Sequence, residues 1–90
     1  MTYGFAGSTL RDELNRLANG GTYPARTAYL AEQGAANKWA GTSGVGLVGA
    51  LNIKNGTTNP ASYKGLNAVC NALAGTTGLE AVTALREVAS

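Results

Sequence analysis

The sequence predicts an all-α fold of about five short helices, preceded by an extended N-terminal arm. Apolar residues recur at spacings of three, four and seven along most of the chain, which is typical of helices with one buried face. No strand-length window alternates apolar with polar residues, so no hairpin signal competes. With 90 residues the chain is long enough for one small domain. We expect this domain at 8–90 and the arm at 1–7.

A repeated pattern gives the number of helices. The segment from Ala36 to Val45 matches the segment from Cys70 to Leu79 almost position for position, and weaker copies begin at Leu14 and Leu51. Each copy has the composition of a helix end, a short corner and the start of another helix. Four corners imply five helices. We predict them at about 9–18, 24–40, 46–53, 60–74 and 79–89.

Glycine and hydroxyl residues are expected to shape the corners. A helix that ends at Ala40 or Ala74 needs a following residue that tolerates positive φ, and glycine meets that need. The hydroxyls of the corners are expected to cap the amides of the next helix. We also expect a capping box at Thr9 and Asp12, and a kink or break in the second helix at Gly34. The predicted corner residues are Gly41, Thr42, Ser43, Gly44, Gly75, Thr76, Thr77 and Gly78.

The core is expected to be thin. Sixteen residues are alanine and only nineteen are Leu, Ile, Val, Phe, Trp or Met, so each helix buries little hydrocarbon. A partner surface or self-association is therefore expected to contribute to stability; the alternative is that closely packed Ala and Gly helices suffice. The predicted core comprises Trp39, Leu66, Val69, Cys70, Leu73, Val82 and Leu85, with Ala28, Ala35 and Ala36 on the second helix.

The composition argues against several classes of function. Histidine is absent and Cys70 is the one cysteine, which leaves no His-based zinc site, catalytic triad or intrachain disulfide. The net charge is +2 and only 13% of residues are charged, a weak electrostatic basis for binding nucleic acid. We therefore predict no enzyme, no cofactor, no metal and no membrane span.

Of all segments of the chain, the arm has the sequence least expected in a domain that folds without a partner. Tyr3 and Phe5 stand between glycines ahead of the first helix, and aromatic side chains are enriched where proteins bind one another. We predict that these two rings dock on a partner. The alternative is that they fold back onto the helices of their own chain.

The repeat also carries a family resemblance. The pattern from Asn37 to Val45 and from Asn71 to Leu79 resembles short modules in minor virion proteins of tailed bacteriophages that infect actinobacteria. The opening at Tyr3–Gly7 and the helix around Leu14–Ala18 are similar to the start of such proteins. The resemblance implies a non-enzymatic structural role and no cofactor. We therefore predict a protein that is made in the host cytoplasm and resides in the virion, bound to larger phage proteins. Copies of the chain itself are a further candidate partner.

We predict a minor tail or fibre-associated position in the particle first, and two alternatives remain. One is decoration of the capsid. The other, from a different class, is a small helix-turn-helix protein that contacts DNA phosphates through Arg26, Lys38, Lys54 and Lys64.

Overall fold

The computed structural model describes residues 7–89 and shows this part of the chain to be all-helical, as predicted. Five α-helices follow one another, with no strand within 7–89 and no helix there long and apolar enough to cross a membrane. They are α1 (Leu10–Ala18), α2 (Glu32–Ala40), α3 (Leu47–Lys54), α4 (Leu66–Ala74) and α5 (Ala81–Arg86). Each helix packs on the next, and α5 returns to α1. The helices therefore close into a ring around one core.

Long and short connections alternate along the chain. The long connections, 19–31 and 55–65, each contain one turn of 3-10 helix, at Arg26–Ala28 and Pro60–Ser62. The short connections are the corners 41–46 and 75–80. A unit of helix, long connection, helix and short corner thus occurs twice, and α5 stands where a third unit would begin.

The predicted second and fourth helices are longer than the real ones. The ranges 24–40 and 60–74 each contain a 3-10 turn and an α-helix, separated by an extended stretch in which Tyr29 and Tyr63 both have ψ of 134°. The expected kink at Gly34 is wrong, because that residue lies inside α2 and the chain breaks before it. The fifth helix is also shorter than the predicted 79–89.

The core is built from small and medium side chains of all five helices. Of the predicted core residues, Val69, Cys70 and Leu85 are fully buried, as are Ala35 and Ala36. Partly buried side chains that pack against this core include Trp39, Leu66 and Leu73, and Val82 is half-buried. Ala28 is exposed because it belongs to the 3-10 turn rather than to α2.

Candidate functional site

A buried asparagine occupies the same place on each of the first four helices. Asn15 and Asn52 lie on α1 and α3, and Asn37 and Asn71 lie on α2 and α4. Their exposed fractions are 2%, 0%, 7% and 8%, respectively. A buried amide that lacks hydrogen bonds costs free energy, so four of them at repeated positions require partners.

Each of these asparagines holds the backbone of the residue two positions before the next helix. On Asn52, Nδ2 donates to the carbonyl oxygen of Lys64 at 3.0 Å, and Oδ1 accepts from the Lys64 amide at 2.8 Å. The same Nδ2 also donates to the carbonyl of Val48, one turn earlier in the helix, at 2.9 Å. The other three form the same set of bonds at 2.6–3.1 Å: Asn15 with Leu30, Asn37 with Val45, and Asn71 with Leu79. We call this arrangement the asparagine clamp.

The clamp explains why the long predicted helices are interrupted. An amide side chain that bonds both the N–H and the C=O of one residue gives that residue partners outside any helix. Leu30 and Lys64 are held in this way. Their neighbours are therefore extended, and the helix restarts at Glu32 and at Leu66.

In each short corner the first hydroxyl, that of Thr42 or Thr76, bonds the clamp asparagine and does not cap the next helix. Thr42 and Thr76 each donate from Oγ1 to Oδ1 of the clamp asparagine five residues earlier, at 2.8 Å in both corners. The helices that follow have Gly46 and Glu80 at the N-cap, without a side-chain cap hydrogen bond. The predicted capping role of these threonines is therefore wrong.

The predicted glycine conformations are confirmed. Gly41 and Gly75 end α2 and α4 with φ of 75° and 72°. Gly44 and Gly78, three residues further, have φ of 71° and 75°. These left-handed conformations turn each short corner so that the clamp can reach Val45 or Leu79.

The capping box at the start of α1 is confirmed and is extended by an ion pair. Thr9 and Asp12 bond each other reciprocally, and the Asp12 carboxylate lies 2.6 Å from Nη1 of Arg26 in the long connection. Burial by itself would raise the pKa of Asp12. Hydrogen bonds from Thr9, Tyr29 and Ser8, together with the charge of Arg26, outweigh burial and hold the pKa below its ordinary value of 3.8.

A second polar cluster joins α1 to α5. Glu13 is fully buried, pairs with Nε of Arg16 at 2.8 Å, and accepts a 2.6 Å hydrogen bond from the Tyr23 hydroxyl. Burial and this bond to Glu13 raise the pKa of Tyr23 to about 12, so the phenol remains a donor at neutral pH. Arg16 Nη2 donates to the carbonyls of Leu85 and Val88, each at 3.0 Å.

Arg86 completes the same junction from the other helix. Its Nε donates to the carbonyl of Gly7, ahead of α1. In the repeat, Val82–Leu85 aligns with Val48–Leu51, so Arg86 stands where α3 has its clamp asparagine Asn52. We call the cluster of Gly7, Glu13, Arg16, Tyr23 and Arg86 the seam. Each of the five helices thus has, at one equivalent place, a residue that holds backbone outside its own helix.

The four cations considered for DNA contact lie in different surroundings. Arg26 pairs with Asp12 and has its guanidinium 4.5 Å from the centre of the Tyr29 ring. Lys54 has its ammonium 5.3 Å from the centre of the Trp39 ring. Lys38 and Lys64 are exposed.

The remaining candidates are the cysteine, the two aromatic residues of the arm and a surface groove. Cys70 is buried, and desolvation raises the pKa of its thiol to about 11, so it is an unreactive core residue. Tyr3 and Phe5 lie outside the described residues. A surface groove of about 540 Å³ is lined by residues of α4 and of the second short corner, together with Lys64.

The buried polar side chains are satisfied by the chain itself. Among residues 7–89, no buried side-chain nitrogen or oxygen lacks a hydrogen-bond partner, and no group of three or more potential metal ligands occurs there. The repeat made the clamp asparagines visible in the sequence, since Asn recurs in every copy. Their role was missed, as was the seam, because the bonded partners are distant in sequence.

Comparison of the chain with models of protein families, with curated proteins and with solved structures finds no match in any of the three.

Proposed function

We propose that this chain is a non-enzymatic accessory structural protein of a phage virion, which docks on larger repeating subunits as a minor tail or fibre-associated protein. The observation that supports this proposal is that residues of the repeated pattern form the clamped corners. The residues that resemble virion modules, from Asn37 to Val45 and from Asn71 to Leu79, include the asparagine, threonine and glycines of the clamped corners. The resemblance therefore concerns how helices are joined, and not composition alone.

The distribution of polar groups supports a structural role. Within residues 7–89 the buried polar residues all bond groups of this chain; they are Asp12, Glu13, Asn15, Asn37, Asn52 and Asn71. Their chemistry is used to fix corners and the ring closure. With only 13% charged residues, the surface is suited to close contact with protein, because interface centres are depleted in charge.

The proposal is tested on phage particles from the host that carries the gene. Particles are purified on a density gradient, heads and tails are separated, and each fraction is searched for tryptic peptides of this chain. We expect the chain in the tail fraction, in several copies per particle. Its presence in the head fraction alone would assign it to capsid decoration instead.

A labelled control distinguishes assembly from adhesion. Isotope-labelled chain is added to the lysate before purification, and only unlabelled chain should co-purify with particles. Detection of the chain in infected cells but not in particles would overturn the proposal.

A further inference from the structure

Leu30 presents an apolar side chain to the surface at a place where the fold does not require one. The side chain is 40% exposed, and the clamp from Asn15 bonds only the backbone N–H and C=O of this residue. Lys64, at the equivalent place in the second long connection, is clamped in the same way and is polar. Residues 30–34 are all exposed. We call residues 30–32 the knob.

The knob combines this apolar side chain with a carboxylate on a fixed backbone. Besides the clamp, Nε of Arg11 donates to the carbonyl oxygen of Leu30 at 2.9 Å. Glu32 begins α2, is exposed, and forms no ion pair within residues 7–89. Because the backbone is already held, little conformational freedom is lost when the knob binds another surface.

The surface groove beside α4 has the complementary character. Its volume is about 540 Å³, and its apolar lining includes Ala68, Ala72 and Leu79. Of the residues that line it, Lys64 alone is charged, and within residues 7–89 the Lys64 ammonium forms no ion pair. The groove therefore suits a partner that brings an apolar side chain and one carboxylate.

The repeat places the knob and the groove in different units of the same chain. Leu30 and Lys38 in the first unit correspond to Lys64 and Ala72 in the second. In the ring, α3 lies between α2 and α4, so we expect the knob to meet the groove of another copy and not that of its own chain.

We propose that copies of this chain associate head to tail, with the knob of one copy seated in the groove of the next. Leu30 packs on the apolar lining, and Glu32 pairs with Lys64 of the neighbouring copy. Such a contact joins two different surfaces, so it repeats from copy to copy and builds a ring or a filament. The inference goes beyond the proposed function, because the contact needs no other protein of the particle.

Sedimentation equilibrium of the purified full chain over a series of concentrations measures the association. Leu30→Lys and Ala72→Lys introduce residues that the chain already carries at the equivalent places, as Lys64 and Lys38. We expect each change to weaken association about tenfold or more. Ala61→Lys is the control, because Ala61 is exposed, lies outside the groove and gains the same charge. Thermal melts confirm that the variants fold.

Mixing the two variants tests the head-to-tail arrangement. Leu30→Lys blocks the knob and leaves the groove intact, whereas Ala72→Lys blocks the groove and leaves the knob intact. In sedimentation velocity we expect each variant alone to be monomeric and their equimolar mixture to form dimers without larger species. A mixture that stays monomeric at concentrations where the unaltered chain associates would contradict the arrangement.

Charge reversal tests the ion pair between copies. We expect Glu32→Lys or Lys64→Glu alone to weaken association about fivefold, and the double change to restore it. Glu87→Lys is the control, because Glu87 is exposed beyond α5 and lies outside both the knob and the groove. If the double change is as weak as the single changes, Glu32 does not meet Lys64.

The outcomes separate this inference from the proposed function. If the unaltered chain remains monomeric at concentrations up to about 1 mM, head-to-tail association is wrong while a virion role stands. If Ala72→Lys weakens binding to phage particles but leaves self-association unchanged, the groove receives another protein and the inference is wrong. If the chain associates as expected but is absent from particles, the inference stands and the proposed function falls.

Discussion

At Asn52 one side-chain amide satisfies three backbone groups in two separate elements. It bonds Val48 within α3 and both polar groups of Lys64 before α4. Asn52→Leu keeps a similar volume but leaves these groups without partners, so we expect the free energy of unfolding to fall by about 2–3 kcal/mol. Asn19→Leu is the control, because Asn19 is exposed and donates one bond, to Thr22. Urea unfolding followed by circular dichroism measures both, and equal losses would contradict a special role for the clamp.

The recurrence of asparagine is visible in the sequence. The residues that each asparagine bonds could not be predicted from it. Asn37 reaches Val45 eight residues away, whereas Asn15 reaches Leu30 fifteen residues away. The partner depends on the path of the connection, which the spacing of apolar residues does not describe. The same limit explains the misassigned threonines: Thr42 was close enough in sequence to cap α3, but the corner turns it back towards Asn37.

Within a short corner, the conformation of each glycine decides whether a side chain is tolerated. A Cβ at Gly44 or at Gly46 would meet no atom within 4 Å, yet φ is +71° at Gly44 and −61° at Gly46. We expect Gly44→Ala to destabilise the fold by about 1–2 kcal/mol through left-handed strain. Gly46→Ala should change the stability by less than about 0.5 kcal/mol, because the entropy removed from the unfolded chain offsets the poorer N-cap. Thermal melts compare the two, and equal effects would show that φ does not control this corner.

Helix existence was better predicted than helix length. The start of α1 followed from its capping box, and the ends of α2 and α4 followed from Gly41 and Gly75. The starts of α2 and α4 did not, because the residues before them have ordinary helical composition and are held extended by clamps from the preceding helix. The interruption at 29–31 is a tertiary effect of Asn15, and local propensity does not include such effects.

At the scale of the whole molecule, the sequence indicated a thin core, and the structure shows polar contacts between elements beside it. In the described part of the chain, the buried apolar set has seven residues larger than alanine: Leu14, Leu17, Leu51, Val69, Cys70, Leu85 and Val88. Four clamps add fixed polar contacts between successive elements. The seam joins elements far apart in the chain, with Arg16 and Val88 separated by 72 positions. The ring closure was not predicted, because no repeat unit pairs the first helix with the last.

Arg16 has two roles at the junction of α1 and α5, which substitutions can separate: it pairs with Glu13, and it bonds the carbonyls of Leu85 and Val88. Arg16→Met removes both the partner of the buried Glu13 carboxylate and the bonds to Leu85 and Val88, so we expect a loss of about 3–5 kcal/mol. Adding Glu13→Gln removes the unpaired charge and should recover part of that loss. In the double variant the α5 amides should still exchange hydrogen roughly 30-fold faster than in the unaltered chain, because the lost charged hydrogen bonds to the end of α5 contribute about 2 kcal/mol.

Arg11→Met is the control, since Arg11 bonds carbonyls of Tyr29 and Leu30 instead. Restoration of α5 protection by Glu13→Gln would show that the ion pair, and not the carbonyl bonds, holds the last helix in place.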